Sequence, residues 1–309
     1  MSKHVIVGAG PIGSSVARLL AEQGESVRVV TRSGSGPEHP LIERIAADAT
    51  DTARLTDLTR GAVALYNCAN PTYTKWETLW PPLAASMLAA AKDSGAVLAI
   101  TGNLYGYGPV PDGRMTEQTP LAATGRKGRV RIKIWQDALA SGVRTVEVRG
   151  SDYVGAGASS IFSAVLLPAL AKGRTAWVPA DVDAPHSFTY TGDMARALVT
   201  LAGDERAWGR AWHVPSPDPI SIRDLATRYF ALTGAKPVPV RSLPRFVMRT
   251  AGLVVPMARE LAEMDYQFYA PFRLDTSLTT RTFGLSATPL DVGLREVAAN
   301  EAAAASRTV

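Results

Sequence analysis

The sequence predicts an α/β protein built on a doubly wound parallel sheet, with a smaller C-terminal lobe. Three observations lead there. Through much of the 309 residues, short apolar runs alternate with stretches of helical period, the pattern of a parallel sheet with helices on both faces. The first run, Val5-Ile6-Val7, leads into Gly8-Ala9-Gly10-Pro11-Ile12-Gly13, whose glycine spacing suits a strand, a tight turn and a helix. The last third reads mainly as helices, with one short strand and the aromatic cluster Tyr266, Phe268, Tyr269 and Phe272.

Val5 to Val7 suits a strand buried on both faces, and Val16, Leu19 and Leu20 recur at helical spacing after Gly13. One glycine allows the turn, one the close approach of a pyrophosphate, and one the packing of helix on strand. Gly8, Gly10, Pro11, Ile12 and Gly13 are therefore expected to hold a dinucleotide, with free N–H groups and the positive helix end facing its phosphates. Ser26 to Thr31 is the second strand. Where an NAD-preferring site has an acid for the ribose 2′-hydroxyl, the chain has Thr31-Arg32-Ser33. A guanidinium between two hydroxyls suits a 2′-phosphate, so NADP(H) is expected over NAD(H).

Ile42 to Ala47 is the third strand, ending at Asp48, which suits an adenine contact, a helix cap or a loop acid. A polar helix follows from about Asp51 to Thr59. Ala62 to Asn67 is the fourth strand and runs into Asn67-Cys68-Ala69-Asn70-Pro71. Such a strand end borders the ligand crevice, so Asn67, Ala69 and Asn70 are expected cofactor contacts. Trp76 to Asp93 reads as an amphipathic helix interrupted early by Pro81-Pro82, and Ala96 to Thr101 as the fifth strand.

The segment Ala99-Ile100-Thr101-Gly102-Asn103-Leu104-Tyr105-Gly106 resembles the strand-end motif of the extended short-chain dehydrogenase/reductases, the nucleotide-sugar epimerase and dehydratase superfamily. Arg149-Gly150-Ser151-Asp152-Tyr153-Val154-Gly155 and the run from His186 to Leu198 resemble later family segments, as do Trp212 to Ser216 and Asp275 to Leu290. The resemblance implies a Rossmann-type NAD(P)-binding domain over about residues 1–175, re-entered around 188–202, and a substrate lobe over 176–309. It also implies a catalytic role for Thr101, substrate contacts near Tyr105, Asp152, Tyr153 and His186, and a homodimer formed through the Trp76–Asp93 and Lys127–Leu139 helices.

The resemblance stops at the family's Tyr-x-x-x-Lys pair, in which a lysine lowers the pKa of a phenol one helical turn away. Here the helix reads Thr124-Gly125-Arg126-Lys127-Gly128-Arg129-Val130-Arg131-Ile132-Lys133, without tyrosine. Lys127 falls at the tyrosine position and Arg131 at the lysine position. Three readings stay open: Lys127 is the general acid; Lys127 and Arg131 bind ribose or a substrate anion; or the cluster is a solvated face. For an acid from elsewhere, Tyr105 and Tyr107 follow the fifth strand and Asp152 and Tyr153 the sixth, with Tyr107 the freer of the first two. The four histidines are not spaced for a metal.

Hydrophobic residues make up 46% of the chain and charged ones 20%, at a net charge of +5. The basic residues are scattered among acids, which argues against nucleic acid, and no apolar run reaches the length of a membrane span. A cytoplasmic enzyme is expected. The single cysteine, Cys68, excludes an internal disulfide and reads as a buried structural thiol. The expected activity is NADP-dependent hydride transfer on a small organic carbonyl or hydroxyl compound, with Thr101 polarising its oxygen. A cofactor-using epimerase, dehydratase or lyase is the alternative, and a non-catalytic NADP-binding sensor or scaffold a further one.

Overall fold

The computed structural model describes residues 2–306. Strands β1 (Lys3–Val7), β2 (Ser26–Thr31), β3 (Ile42–Ala46), β4 (Ala64–Asn67) and β5 (Val97–Asn103) join Thr145–Gly150 and Arg210–His213 in a seven-stranded sheet. The order is Arg210–His213, Thr145–Gly150, β5, β4, β1, β2, β3, and β1 pairs in parallel with both β2 and β4. The winding reverses between β1 and β4, so a crevice opens beyond their C-terminal ends. Val5, Ile6 and Val7 are buried, as are Leu65, Tyr66 and the run from Val97 to Ile100. Continuous burial is why these strands read as unbroken apolar runs rather than alternating ones.

Helices α1 (Pro11–Glu22), α2 (Thr52–Thr59), α3 (Trp76–Ser94) and α4 (Arg126–Ala140) accompany the sheet. The expected interruption of α3 does not occur; the helix is continuous through Pro81 and Pro82. The carbonyls that lose their donors belong to Glu77 and Thr78, both exposed residues, so neither is left in a buried site.

The residues form two compact units. One comprises Met1–Gly106, Arg126–Arg149 and Met194–Val214; the other comprises Tyr107–Gly125, Gly150–Asp193 and Pro215–Val309. The second unit has its own core, in which Leu225, Ala226 and Phe230 of the helix Ile222–Thr233 join Phe162, Leu166, Val178, Phe188 and Leu294. Elements there are shorter than their apolar pattern suggests. The short strand of the last third is Val240–Ser242, and the helices that follow it, Arg245–Ala251 and Pro256–Glu263, span two turns each. The sequence leads one to expect a frayed Ala-rich end with Ser306-Arg307-Thr308-Val309, but the last helix runs Leu290–Ser306 and so includes Ser306; Arg307-Thr308-Val309 lie outside the described residues. Among the described residues no helix is long and apolar enough to cross a membrane.

Candidate active site

Beyond Val7 the chain turns at Gly8, whose φ of +99° lies in the region that favours glycine. A Cβ there would lie 2.7 Å from the Cys68 carbonyl oxygen, and a Cβ on Gly13 only 2.0 Å from the Gly8 oxygen. Gly10 differs, because a Cβ on it would meet nothing within 4 Å. It is the N-cap of α1, without a side-chain cap bond, and Pro11 opens the helix without an N–H. First-turn N–H groups, a helix N-terminus and open space thus coincide, which fits a pyrophosphate. Asn67 lies beside them: its Oδ1 is buried without a hydrogen-bond partner, and its register partners are Val7 and Ile100. Ala69 and Asn70 follow in the same strand-end loop.

At the end of β2, Thr31 Oγ1 donates to the Ser35 carbonyl at 3.0 Å and Ser33 Oγ to Ser35 Oγ at 3.0 Å. Arg32 is exposed and, among the described residues, has no hydrogen bond or ion pair. Asp48 is a loop acid. It accepts from the Thr50 N–H at 2.9 Å and the Thr50 hydroxyl at 2.8 Å, and these bonds, with the Arg32 charge, hold its carboxyl below the ordinary range. The cap of α2 is Asp51, which accepts from Arg54 N at 3.0 Å.

The register that aligns Val7, Asn67 and Ile100 also sets Gly8, Cys68 and Thr101 one residue beyond, on neighbouring strands. Thr101 Oγ1 donates to Cys68 Sγ at 3.6 Å. Burial pushes the thiol up to about 12, against the pull of the Thr101 hydroxyl, so Cys68 is a neutral structural group. Thr101 itself is half-buried.

The basic cluster of α4 divides by face. Lys127 and Arg131, one turn apart, are 2% and 4% exposed, whereas Arg129 and Lys133 face water and Lys133 pairs with Asp137 at 2.9 Å. Arg131 Nη2 donates to the Thr101 carbonyl at 2.8 Å and to Glu147 Oε1 at 3.2 Å, while its Nε is buried without a hydrogen-bond partner. Glu147 also accepts from Arg149 Nε at 2.8 Å. The Arg131 guanidinium lies over the Trp80 ring at 5.1 Å.

Lys127 Nζ sits 4.4 Å from the centroid of the Tyr73 ring. The Tyr73 hydroxyl donates to the Tyr105 hydroxyl at 3.4 Å, the Tyr105 ring stacks on Trp76 at 5.7 Å, and Trp76 meets Tyr73 edge-on at 5.3 Å. Sequence reasoning missed Tyr73 and Glu147. The available signals were a tyrosine three positions before Trp76 at the opening of α3, and one acid inside the otherwise buried strand Thr-Val-Glu-Val-Arg-Gly.

The remaining expected residues belong to the second unit. Tyr107 is only 1% exposed, whereas Tyr105, in the first unit, is half-buried. His186 Nε2 and Asp152 Oδ2 are 2.9 Å apart, and the imidazole is stacked with Phe272 at 5.3 Å and Phe268 at 5.6 Å. Tyr153 is half-buried in the short strand Asp152–Val154. Among the described residues no group of three or more His, Cys, Asp or Glu side chains is placed to hold a metal ion.

Solved structures share this fold. The enzyme WbmH of Bordetella bronchiseptica, in complex with NAD+, has a TM-score of 0.75 at 22% identity, covering 97% of this chain and 98% of its own. The UDP-glucose 4-epimerase of Thermotoga maritima has a TM-score of 0.78 at 15% identity, covering 98% and 99%. The dTDP-glucose 4,6-dehydratase of Bacillus anthracis, in complex with NAD, has a TM-score of 0.78 at 14% identity, covering 98% and 97%. No curated protein sequence matches the chain. The model of one protein family, described as the NAD dependent epimerase/dehydratase family, matches residues 4–214. That span takes in the glycine loop, Thr101 and the helix from which the tyrosine is missing, so the likeness read from the motifs is confirmed: the chain belongs to the NAD dependent epimerase/dehydratase family.

Proposed function

We propose that the protein is an NADP-preferring enzyme that interconverts a carbonyl and a hydroxyl group on a small organic substrate. One observation carries this reading: the register aligning Gly8, Cys68 and Thr101 puts the open cradle at Gly10 and the Thr101 hydroxyl on the same edge of the sheet. When bound, the dinucleotide supplies hydride chemistry. The chain's own residues bind and orient: the glycine loop takes the pyrophosphate, Asn67 offers its buried amide oxygen, and Thr101 turns its one hydroxyl proton from Cys68 Sγ to the substrate oxygen. Two observations favour a 2′-phosphate: no acid directly follows β2, and among the described residues Arg32 is exposed there without a hydrogen bond or ion pair. Asp152 and His186 are proposed to contact the substrate. A homodimer through the outer faces of α3 and α4 is proposed as well; a monomer by light scattering refutes it.

A second reading has a specific basis. Family membership and the epimerase and dehydratase names among the structural neighbours favour an isomerase or lyase that keeps its cofactor through the cycle. Turnover without net change in NADPH identifies that case.

The direct test is fluorescence titration with NADPH and NADH, on the wild type and Arg32→Ala. NADPH is expected to bind more tightly, and the variant to lose about 1–3 kcal/mol of NADPH affinity with NADH unchanged, as for a lost charge-assisted contact. Equal binding of both nucleotides ends the NADP preference. Binding of neither ends the dinucleotide reading.

A further inference from the structure

Interconverting a carbonyl and a hydroxyl group moves a proton at the substrate oxygen, and a threonine hydroxyl is a poor proton donor by itself. Helix α4 spans Arg126–Ala140 without a tyrosine. A phenol and an ammonium nonetheless meet in the first unit, supplied by two separate segments. Tyr73 lies in the turn Tyr73–Lys75 that leads into α3, and Lys127 Nζ stands 4.4 Å from the centre of its ring. Trp76 braces the ring edge-on and stacks on Tyr105, whose hydroxyl accepts from Tyr73 at 3.4 Å. Tyr73 and Tyr105 are both half-buried, so the pair is held by packing yet open to solvent.

We propose that Tyr73 is the proton donor and acceptor at the substrate oxygen, with Lys127 the positioning residue that stabilises its phenolate. The assignment rests on the carbonyl–hydroxyl reading above. With a dihydronicotinamide bound, which would supply hydride to the carbonyl carbon, Tyr73 Oη would turn its proton from Tyr105 to the carbonyl oxygen and release it there. The electron pair of the broken O–H bond stays on the phenolate. Tyr105 then returns a proton to Tyr73 from water. An ammonium this close to a partly desolvated phenol favours the charged form, and its contact with the ring face holds the ring in place. Two ionisable groups from further elements face Tyr73, Lys127 on α4 and Tyr105 after β5.

Tyrosinate ionisation, followed by ultraviolet difference absorption without nucleotide, tests the pair directly. Burial raises the pKa of Tyr66, Tyr229 and Tyr269, so these tyrosines ionise late and a low-titrating tyrosine stands apart. The wild type is expected to show one tyrosine ionising below the ordinary value of about 10. Tyr73→Phe, which keeps the ring for Lys127 and Trp76, should abolish that step; Lys127→Met should return it toward the ordinary value. With nucleotide present, Tyr73→Phe should lower kcat by about 10²–10⁴-fold without changing nucleotide affinity. Loss of the early step in Tyr105→Phe but not in Tyr73→Phe overturns the assignment, as does a titration indifferent to Lys127. If the wild type turns over and Tyr73→Phe keeps its kcat, the Tyr73 role falls while the functional reading stands. If the wild type binds no nucleotide, the functional reading falls and the Tyr73 role falls with it.

Discussion

Arg131 is tied to the main chain of Thr101: its Nη2 donates to the Thr101 carbonyl at 2.8 Å, and the same nitrogen lies 3.2 Å from Glu147 Oε1. The guanidinium is therefore part of the floor beneath Thr101, held in place by Glu147 and by the Trp80 ring below it. Arg131→Met leaves Glu147 its second cation, Arg149, but strips the Thr101 carbonyl of a charged donor. The expected cost is about 1–3 kcal/mol of stability by chemical denaturation. Turnover should fall while nucleotide affinity holds, because Thr101 loses its support and the glycine loop does not. Arg131→Lys should not rescue fully, since an ammonium lacks the flat guanidinium that lies over the Trp80 ring and is held there. Full activity in Arg131→Met would remove the positioning role.

The glycine loop yields a paired prediction. Gly13→Ala drives a Cβ to within 2.0 Å of the Gly8 oxygen, so helix and loop must part and the protein should be strongly destabilised. Gly10→Ala adds a methyl group into open space, and its backbone angles, φ −68° and ψ −175°, suit any residue. The Gly10 variant should keep its thermal transition and lose at least about tenfold in nucleotide affinity, because the methyl fills the room a pyrophosphate needs. Undiminished binding by Gly10→Ala would place the phosphates elsewhere.

What the sequence made legible was local. The Gly8–Gly13 spacing and the buried strand runs are written within a few residues of where they act. The motif at Thr101 was readable for the same reason. The supports of the site were not. Arg131 meets Glu147 and Lys127 meets Tyr73 only after the sheet has brought distant segments together, and each residue type alone reads as ordinary surface or core. Helical period did place Lys127 and Arg131 on one face of α4. It could not tell that this face is buried, because a run of five basic residues in eight positions outweighs Val130, Ile132 and Gly128 in any hydropathy reading.

Asp152 and His186 permit a separation of charge from shape. Asp152→Asn keeps the size of the side chain and a hydrogen-bonding atom near His186 Nε2, now 2.9 Å from the carboxylate, while removing the negative charge. The stacked Phe268 and Phe272 rings hold the imidazole independently of that charge. The variant should therefore fold with less than about 2 kcal/mol of lost stability. If the pair orients substrate, KM should rise with little change in kcat, since binding is weakened equally in ground and transition states. Unchanged kinetics with reduced stability would assign the pair to the fold alone.

His4 supplies a dependence of stability on pH. Burial beside Tyr66, whose hydroxyl lies 3.4 Å from His4 Nδ1, lowers the imidazole pKa, and the Glu25 charge only partly opposes the shift. The folded protein thus prefers neutral His4, while in the unfolded chain the ring titrates near its ordinary value of about 6.5. Below that value the unfolded chain binds the extra proton first, so stability rises with pH across the window. The contribution is complete above about pH 6.5 and is lost progressively as the pH falls toward the lower folded pKa. Denaturation midpoints measured from about pH 8 down to about pH 5 should therefore fall more steeply in the wild type than in His4→Phe, which carries no titrating ring. Equal slopes for the two proteins would show that His4 protonates as readily in the folded chain as in the unfolded one.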